Sequence, residues 1–155
     1  DVHEYNFETE YWSKPEIKGE SPIFRRAHKS VQYGQYMYFF GGLMNSGFTN
    51  EVLQLDLSNM TWKTIITTGK APSPRSRSSV CLKNNKMYIH GGWDGSIFFA
   101  DFFELDLDNF VWRELPINNG PRLAQHSLVN WNDKMFIFGG NDGQRASNTL
   151  YGIFM

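Results

Sequence analysis

Cysteine is almost missing from this chain: Cys81 is the single thiol among 155 residues. An internal disulfide is therefore excluded, and one cysteine cannot build a structural zinc site without unusual ligands. Histidine is scarce as well, with four residues, none at metal-ligand spacing from another or from the cysteine. Charge of one sign is lacking too. The formal net charge is −1 and no block of like charges occurs, so nothing marks a nucleic-acid or membrane-surface binder. No apolar run approaches the ~18 residues of a bilayer-spanning helix, and no signal-peptide pattern leads the chain. These absences predict a cytoplasmic protein with no metal and no cofactor. The first residue is Asp1 rather than Met, which reads as a processed, cloned or partial product.

Aromatic residues, by contrast, are abundant at 16%, with thirteen Phe and five Trp. That favours packed β structure over disorder, and the length suffices for a real core. The aromatics recur in a pattern. Met37 to Gly42 (MYFFGG), Met87 to Gly92 (MYIHGG) and Met135 to Gly140 (MFIFGG) stand 50 and then 48 residues apart. Trp12, Trp62 and Trp112 recur every 50 residues, as do the segments DVHEYNF (1–7), EVLQLDL (51–57) and DFFELDL (101–107), with a poorer copy, TLYGIFM, at 149–155. Such a period marks a repeat architecture.

Each unit reads as four strands. The first spans His28 to Tyr33, Ser78 to Lys83 or His126 to Trp131. A two-residue turn follows (Gly34-Gln35, Asn84-Asn85, Asn132-Asp133), with residues that tolerate positive φ. The second strand is the aromatic run, apolar at nearly every position and so predicted to be buried on both faces. The third alternates, as Leu53, Leu55 and Leu57 against Gln54 and Asp56, and is predicted to be less buried. A turn at Ser58-Asn59 or Asp108-Asn109 leads into the fourth strand, which carries the Trp. Segments such as TTGKAPSPR (67–75) are turn and loop chemistry throughout. Repeated four-stranded antiparallel sheets stacked by their faces make a β-propeller. The paired glycines close the second strand where neighbouring main chain must pass close, and glycine supplies both the missing Cβ and left-handed φ. No helix follows them, so a phosphate cradle is excluded.

With glycine pairs after an aromatic strand, a Trp about twenty residues later and an Arg-x-x-His-Ser-like segment before the next strand, the sequence resembles the kelch family. The resemblance covers essentially the whole chain and implies an all-β, kelch-type propeller segment. On the family's usual six blades it would be about half a ring: the end of one blade (1–17), complete blades at 25–66 and 75–115, and an incomplete one at 122–155. That is thirteen strands. The remaining blades are expected from a longer parent chain, in preference to a second copy. Departures from the pattern are Ser78 where His28 and His126 stand, Arg122 one residue early relative to Arg25 and Arg75, and Phe154 where Asp56 and Asp106 stand.

A residue that recurs at one blade position serves the blade, and one that breaks the pattern is free for function. Gly41, Gly42, Gly91, Gly92, Gly139, Gly140 and the three repeat tryptophans are accordingly structural, the latter filling the outer part of each blade. Asp56 and Asp106 cap the following turn. Cys81, aligned with Val31 and Val129, is a core residue. His28 and His126 are expected to be hydrogen-bonded structural histidines and His90, in place of Phe40 and Phe138, a satisfied buried imidazole. Partner contacts are placed on loops: those joining strands two and three (43–49, 93–99, 141–147) and those between blades (17–25, 67–75, 116–122), which hairpin topology puts on one rim. Phe48, Trp93, Ile97 and Arg145 are candidate anchors there. Arg25, Arg75, Arg77 and Arg122 approach the same rim, where guanidinium groups would favour an acidic peptide or domain. Arg25 and Arg75 repeat in register, so bracing backbone carbonyls between blades is the better single explanation for them, and Arg77, aligned with Ala27 and Gln125, is the freer candidate.

The function expected is a protein-interaction module, an adaptor or scaffold, and not an enzyme. No paired carboxylates, metal-spaced set or nucleophile with a base is visible. The resemblance leaves two alternatives: a kelch-like enzyme of the copper oxidase or sugar-acid isomerase type, with its site elsewhere in the ring, and an actin-binding protein.

Overall fold

A computed structural model describes residues 1–154 and is all-β. Among the described residues no helix is long and apolar enough to cross a membrane. Met155, the last residue of the predicted incomplete blade, lies outside the described residues.

The main strands form successive antiparallel sheets. Glu4–Asn6 pairs with Tyr11–Ser13. In the first complete blade, Lys29–Tyr33, Tyr36–Phe40, Val52–Asp56 and Thr61–Ile65 pair in sequence order. The second complete blade repeats this with Ser79–Lys83, Lys86–His90, Phe102–Asp106 and Val111–Leu115. Ser127–Trp131, Lys134–Phe138 and Leu150–Phe154 form the last, three-stranded sheet. The hairpin turns carry positive φ at Gly34, Asn84 and Asn132 and not at the residue after, the pattern of a II′ turn. Asp56 and Asp106 accept backbone N–H bonds from Ser58 and Asp108, each at 2.9 Å, and so cap the turns into the Trp strands.

Two expectations about the blade need correction. The complete blades are five-stranded, because the loop segments Lys18–Gly19 and Thr68–Gly69 pair in parallel with Thr61-Trp62 and Val111-Trp112. Gly19 and Gly69, both at φ +80°, permit it: a Cβ on either would strike the carbonyl of the facing Trp. In the two complete blades the third strand is not less buried than the second, although in the last sheet Leu150–Phe154 is the less buried, as expected. In Phe102–Asp106 four of five residues are buried, Glu104 included, because both faces of the sheet are covered and polar members find partners there. Glu104 is held by Lys86 at 2.8 Å and Arg113 at 2.9 Å, and Gln54 donates to the Tyr38 hydroxyl at 2.9 Å.

The glycine pairs work as two separate contacts. The first glycine faces the next blade: a Cβ on Gly41 would stand 2.6 Å from the Arg75 carbonyl oxygen, and one on Gly91 would meet that of Leu123. The second faces its own blade, Gly42 against Arg26 and His28, Gly140 against Ala124 and His126. This closeness lets the backbones bond across blades. Gly42 N–H donates to Arg75 O at 2.9 Å, Arg75 N–H to Thr49 O at 3.1 Å and Arg77 N–H to Ala27 O at 2.9 Å. Gly92, Leu123 and Gln125 repeat all three bonds at the next junction.

Two apolar clusters fill the junctions: Phe40, Ile89, Phe103 and Trp112 among others between the complete blades, and Phe102, Leu128, Met135 and Ile137 beyond them. The repeat tryptophans hold one strand position, opposite Tyr5, Leu55 and Leu105, yet meet different surroundings. Trp112 is 2% exposed and packs edge-on against Phe40 of the blade before, with ring centroids 5.5 Å apart. Trp62 is half-buried against Phe39 of its own sheet, and Trp12 is 69% exposed, contrary to the expectation that all three fill a blade. Each needs a packed neighbour on its preceding side. Only two strands stand before Trp62, and a cavity of about 870 Å³ opens between them and Phe39, Leu53, Leu55 and Trp62.

Candidate functional site

The loop rim is built the same way three times. Arg25–Arg26 pairs with Leu43–Met44, which pairs with Gly47–Phe48. Single bridges repeat the motif at Ser76, Trp93 and Phe98, and at Ala124, Asn141 and Ala146. The strand-two-to-three loops and the ends of the inter-blade loops therefore meet on one rim, as hairpin topology requires. Asp94 accepts the N–H groups of Ser96 and Ile97, and Asp142 those of Gln144 and Arg145. These bonds fix the loop tips and hold both carboxyls below the usual carboxylate range.

At the centre Arg77 lies over Trp93, its guanidinium carbon 5.1 Å from the ring centroid. Arg77 sits at φ 58°, a left-handed position shared in register by Ala27 (57°) and Gln125 (60°), so the backbone and not the side chain sets this turn. Phe48 meets Trp93 edge-on at 5.7 Å, and Phe98 lies on its other flank at 6.1 Å. Each Phe also reaches the next loop, Phe48 against Gly95 and Phe98 against Gly143. The three rings form one partly exposed strip across two blades, with Ile97, 49% exposed, at its edge. Trp93, Arg77, Phe48 and Ile97 are thus brought together; Arg145 is exposed one loop further on.

The register arginines are placed differently. Arg75 is 1% exposed and forms a two-toothed ion pair with Asp101, at 2.5 and 2.9 Å. It also lies 3.7 Å from the Phe99 ring centroid and donates to the Gly91 carbonyl. No part of it is left for a partner: it braces the blade, and we withdraw it from the partner-contact set. Arg25 holds Glu51 at 2.8 Å with only 7% of its side chain exposed and so also braces the blade, although its Nη1 is buried without a partner among the described residues. Arg122 is exposed, giving one N–H to Phe98 O at 3.1 Å. The carboxylate partners of this brace carry a signal in the sequence as well: Arg25 to Glu51 and Arg75 to Asp101 are both 26 residues apart.

Four rim carboxylates are therefore engaged, Glu51 and Asp101 by arginines and Asp94 and Asp142 by backbone, while Glu20 is exposed with no ion pair among the described residues. Arg26, Arg77, Arg122 and Arg145 form no ion pair among the described residues. The rim is left with a surplus of positive charge.

Buried groups elsewhere serve other ends. Burial pushes the Cys81 thiol up to about 12, consistent with a core residue. His90 and His126 are bonded to each other, but His90 Nε2 and His126 Nδ1 have no partner, so neither imidazole is fully satisfied as expected. His28 is exposed, and its observed contact is the Phe39 ring, not the expected hydrogen bond. Among the described residues no three His, Cys, Asp or Glu side chains converge as a metal site would require.

The family described as KLHDC2/KLHL20/DRC7 Kelch-repeats domain matches residues 1–140. The chain belongs to the kelch-repeat family. Kelch relatives agree with this. Tip elongation aberrant protein 1 of Schizosaccharomyces pombe is 28% identical over 97% of this chain, which covers 14% of that protein. Kelch domain-containing protein 3 of Rattus norvegicus is 31% identical over 54% of the chain, covering 22% of its length, and host cell factor of Drosophila melanogaster 36% identical over 45%, covering 6%. The chain thus spans less than a quarter of each of these relatives. The kelch repeat is generally a protein-interaction module, and this chain is one of that general kind.

Proposed function

We propose that the loop rim binds an acidic segment of a protein partner, with Arg77 and Trp93 at the centre of the contact and no chemistry of its own. One observation carries the reading: a guanidinium stacked on a partly exposed indole, with the carboxylates of the loops on either side, Asp94 and Asp142, tied to backbone N–H groups. The Phe48–Trp93–Phe98 strip offers apolar area of the kind that anchors interfaces. Arg26, Arg122 and Arg145 around it steer negative charge toward it. In a larger parent protein this contact would serve as adaptor or scaffold.

Selection of peptides from a random display library against the protein tests this. Selected binders should be rich in Asp and Glu, and should weaken about tenfold or more on Arg77→Ala or Trp93→Asn, residues that the equivalent loops carry at Ala27 and Asn141. Their affinity should fall with salt. Binders without acidic residues, or binders indifferent to both substitutions, would overturn it.

A further inference from the structure

The corner where an inter-blade loop meets the third strand is built differently in the last sheet. In the second complete blade Arg75 fills it, stacked on Phe99 and bound to Asp101. The first complete blade keeps the ion pair as Arg25 and Glu51. In the register set by Gly139-Gly140, three replacements reach this corner together: Leu123 for Arg75, Ser147 for Phe99 and Thr149 for Asp101. The guanidinium, the ring beneath it and its counter-charge are all gone. A cavity of about 640 Å³ opens there, lined by Arg122, Arg145, Gln144, Ser147 and Thr149 among others. It is not part of the uncovered face of the sheet, for Tyr151, which lines it, packs into the cluster shared with the second complete blade.

The lining decides the sign of its occupant. Two arginines, Arg122 and Arg145, line the cavity against one acidic residue, Asp142, whose Oδ1 already accepts the Gln144 and Arg145 N–H groups at 2.8 and 2.9 Å. Arg122 spends one N–H on Phe98 O, and the Arg145 side chain has no hydrogen bond or ion pair among the described residues. A cation would meet repulsion, since Thr149 removes the carboxylate that holds Arg75 in the equivalent corner. An oxyanion would meet two arginines, residues whose planar forks suit it.

The geometry points to an oxyanion subsite in which Arg122 and Arg145 take a phosphoryl or carboxylate group carried by a side chain of the partner. This rests on the rim reading above and assigns one contact within it.

Phenyl phosphate and phenylacetate, added separately at constant ionic strength and followed by amide and arginine Nε NMR shifts, provide the test. Saturable shifts are expected at Gln144, Arg145, Ser147 and Thr149. Arg122→Gln and Arg145→Gln should each weaken them about tenfold. Thr149→Asp, which restores the carboxylate of the other blades, should abolish them. All three positions are exposed, so an unchanged thermal midpoint is expected for each variant. Stronger binding of phenyl phosphate assigns a phosphorylated partner residue, and stronger binding of phenylacetate an Asp or Glu. Shifts no larger than sodium chloride produces, or shifts that persist in the Arg122→Gln/Arg145→Gln double variant, would overturn the assignment. The probes need no protein partner and do not involve Arg77 or Trp93. Their failure would leave the peptide result intact, and failure of the peptides would leave theirs.

Discussion

His90 Nδ1 stands 2.9 Å from His126 Nε2, and this contact between buried rings joins the second complete blade to the last sheet. At the preceding junction the same two positions hold Phe40 and Ser78. An imidazole pair stands in their place here and gives this junction a titratable centre. Burial lowers both pKa values, to about 4 for His90 and about 3 for His126. Arg75 adds to the effect on His90, and His90 and Lys29 to that on His126.

The sign follows from linkage. In the unfolded chain both rings titrate near 6.5; in the folded chain they stay neutral well below that. The unfolded state therefore binds more protons as pH falls below 6.5, and stability present above that value is lost progressively toward pH 4. Thermal midpoints measured between pH 7 and 4.5 should fall, mostly before the carboxylates titrate. The double substitution His90→Phe/His126→Ser, which copies the preceding junction, should flatten most of that slope. His28, whose pKa is lowered by desolvation and by Arg25 and Lys29, adds to what is left. An unchanged slope in the double variant would show that the pair is not the titrating element.

The three repeat tryptophans form a graded series because their preceding neighbours differ while their strand position does not. Trp112→Ala should cost about 3–5 kcal/mol, as large core truncations do. Trp62→Ala should cost clearly less, since one side of its ring faces the cavity beside the two leading strands. Trp12→Ala, at a site already 69% exposed, should stay within about 0.5 kcal/mol. Chemical denaturation of the three variants gives the ranking, and equal losses would contradict it.

Much of this was legible from repetition alone. Strand order, the two-residue turns, the role of paired glycines and the common rim all follow from residues recurring at one period, because equivalent blades impose equivalent backbone. What depends on a neighbour was not legible. Trp12 and Trp112 hold the same repeat position and are opposite in burial, since exposure is set by the adjacent sheet. Alternation in the third strand suggested a solvent face, but Gln54 and Glu104 are polar residues with partners inside the stack. The fifth strand is not legible because two residues of parallel pairing leave no periodicity; only Gly19 and Gly69, spaced by 50, mark it. On the rim, Arg77 and Trp93 stood out singly because each breaks the pattern, while their stacking required coordinates.

The glycine pairs allow backbone strain to be separated from blade contact. Gly41 and Gly139 share a left-handed φ, +66° and +72°. A Cβ on Gly41 would collide with the Arg75 carbonyl at 2.6 Å, whereas one on Gly139 would find only Ser147 O at 3.6 Å. Gly139→Ala should cost about 1–2 kcal/mol, the penalty for an L-residue in that region. Gly41→Ala should cost distinctly more, because it also disturbs the bonds that Gly42 and Arg75 make across the junction. Equal losses would mean that the first glycine is needed for conformation alone.

The Arg75–Asp101 pair can be compared with the corner that replaced it. Breaking a buried pair by removing one partner leaves an uncompensated charge, and costs about 3–5 kcal/mol. Asp101 is a quarter exposed, so Arg75 without it retains some solvent relief, and Asp101→Thr should fall at the low end of that range or below. Arg75→Leu gives up the stacking on Phe99 as well as the charge, and should cost more. The double variant Arg75→Leu/Asp101→Thr installs the pair that the last sheet carries as Leu123 and Thr149. Its loss should be smaller than the sum of the two single losses by about 1–3 kcal/mol, the usual coupling within one ion-pair network. Strict additivity in a double-mutant cycle would show that the two side chains do not stabilise each other. The corner would then be held by backbone bonding alone, and the last sheet would have lost nothing by giving up its arginine.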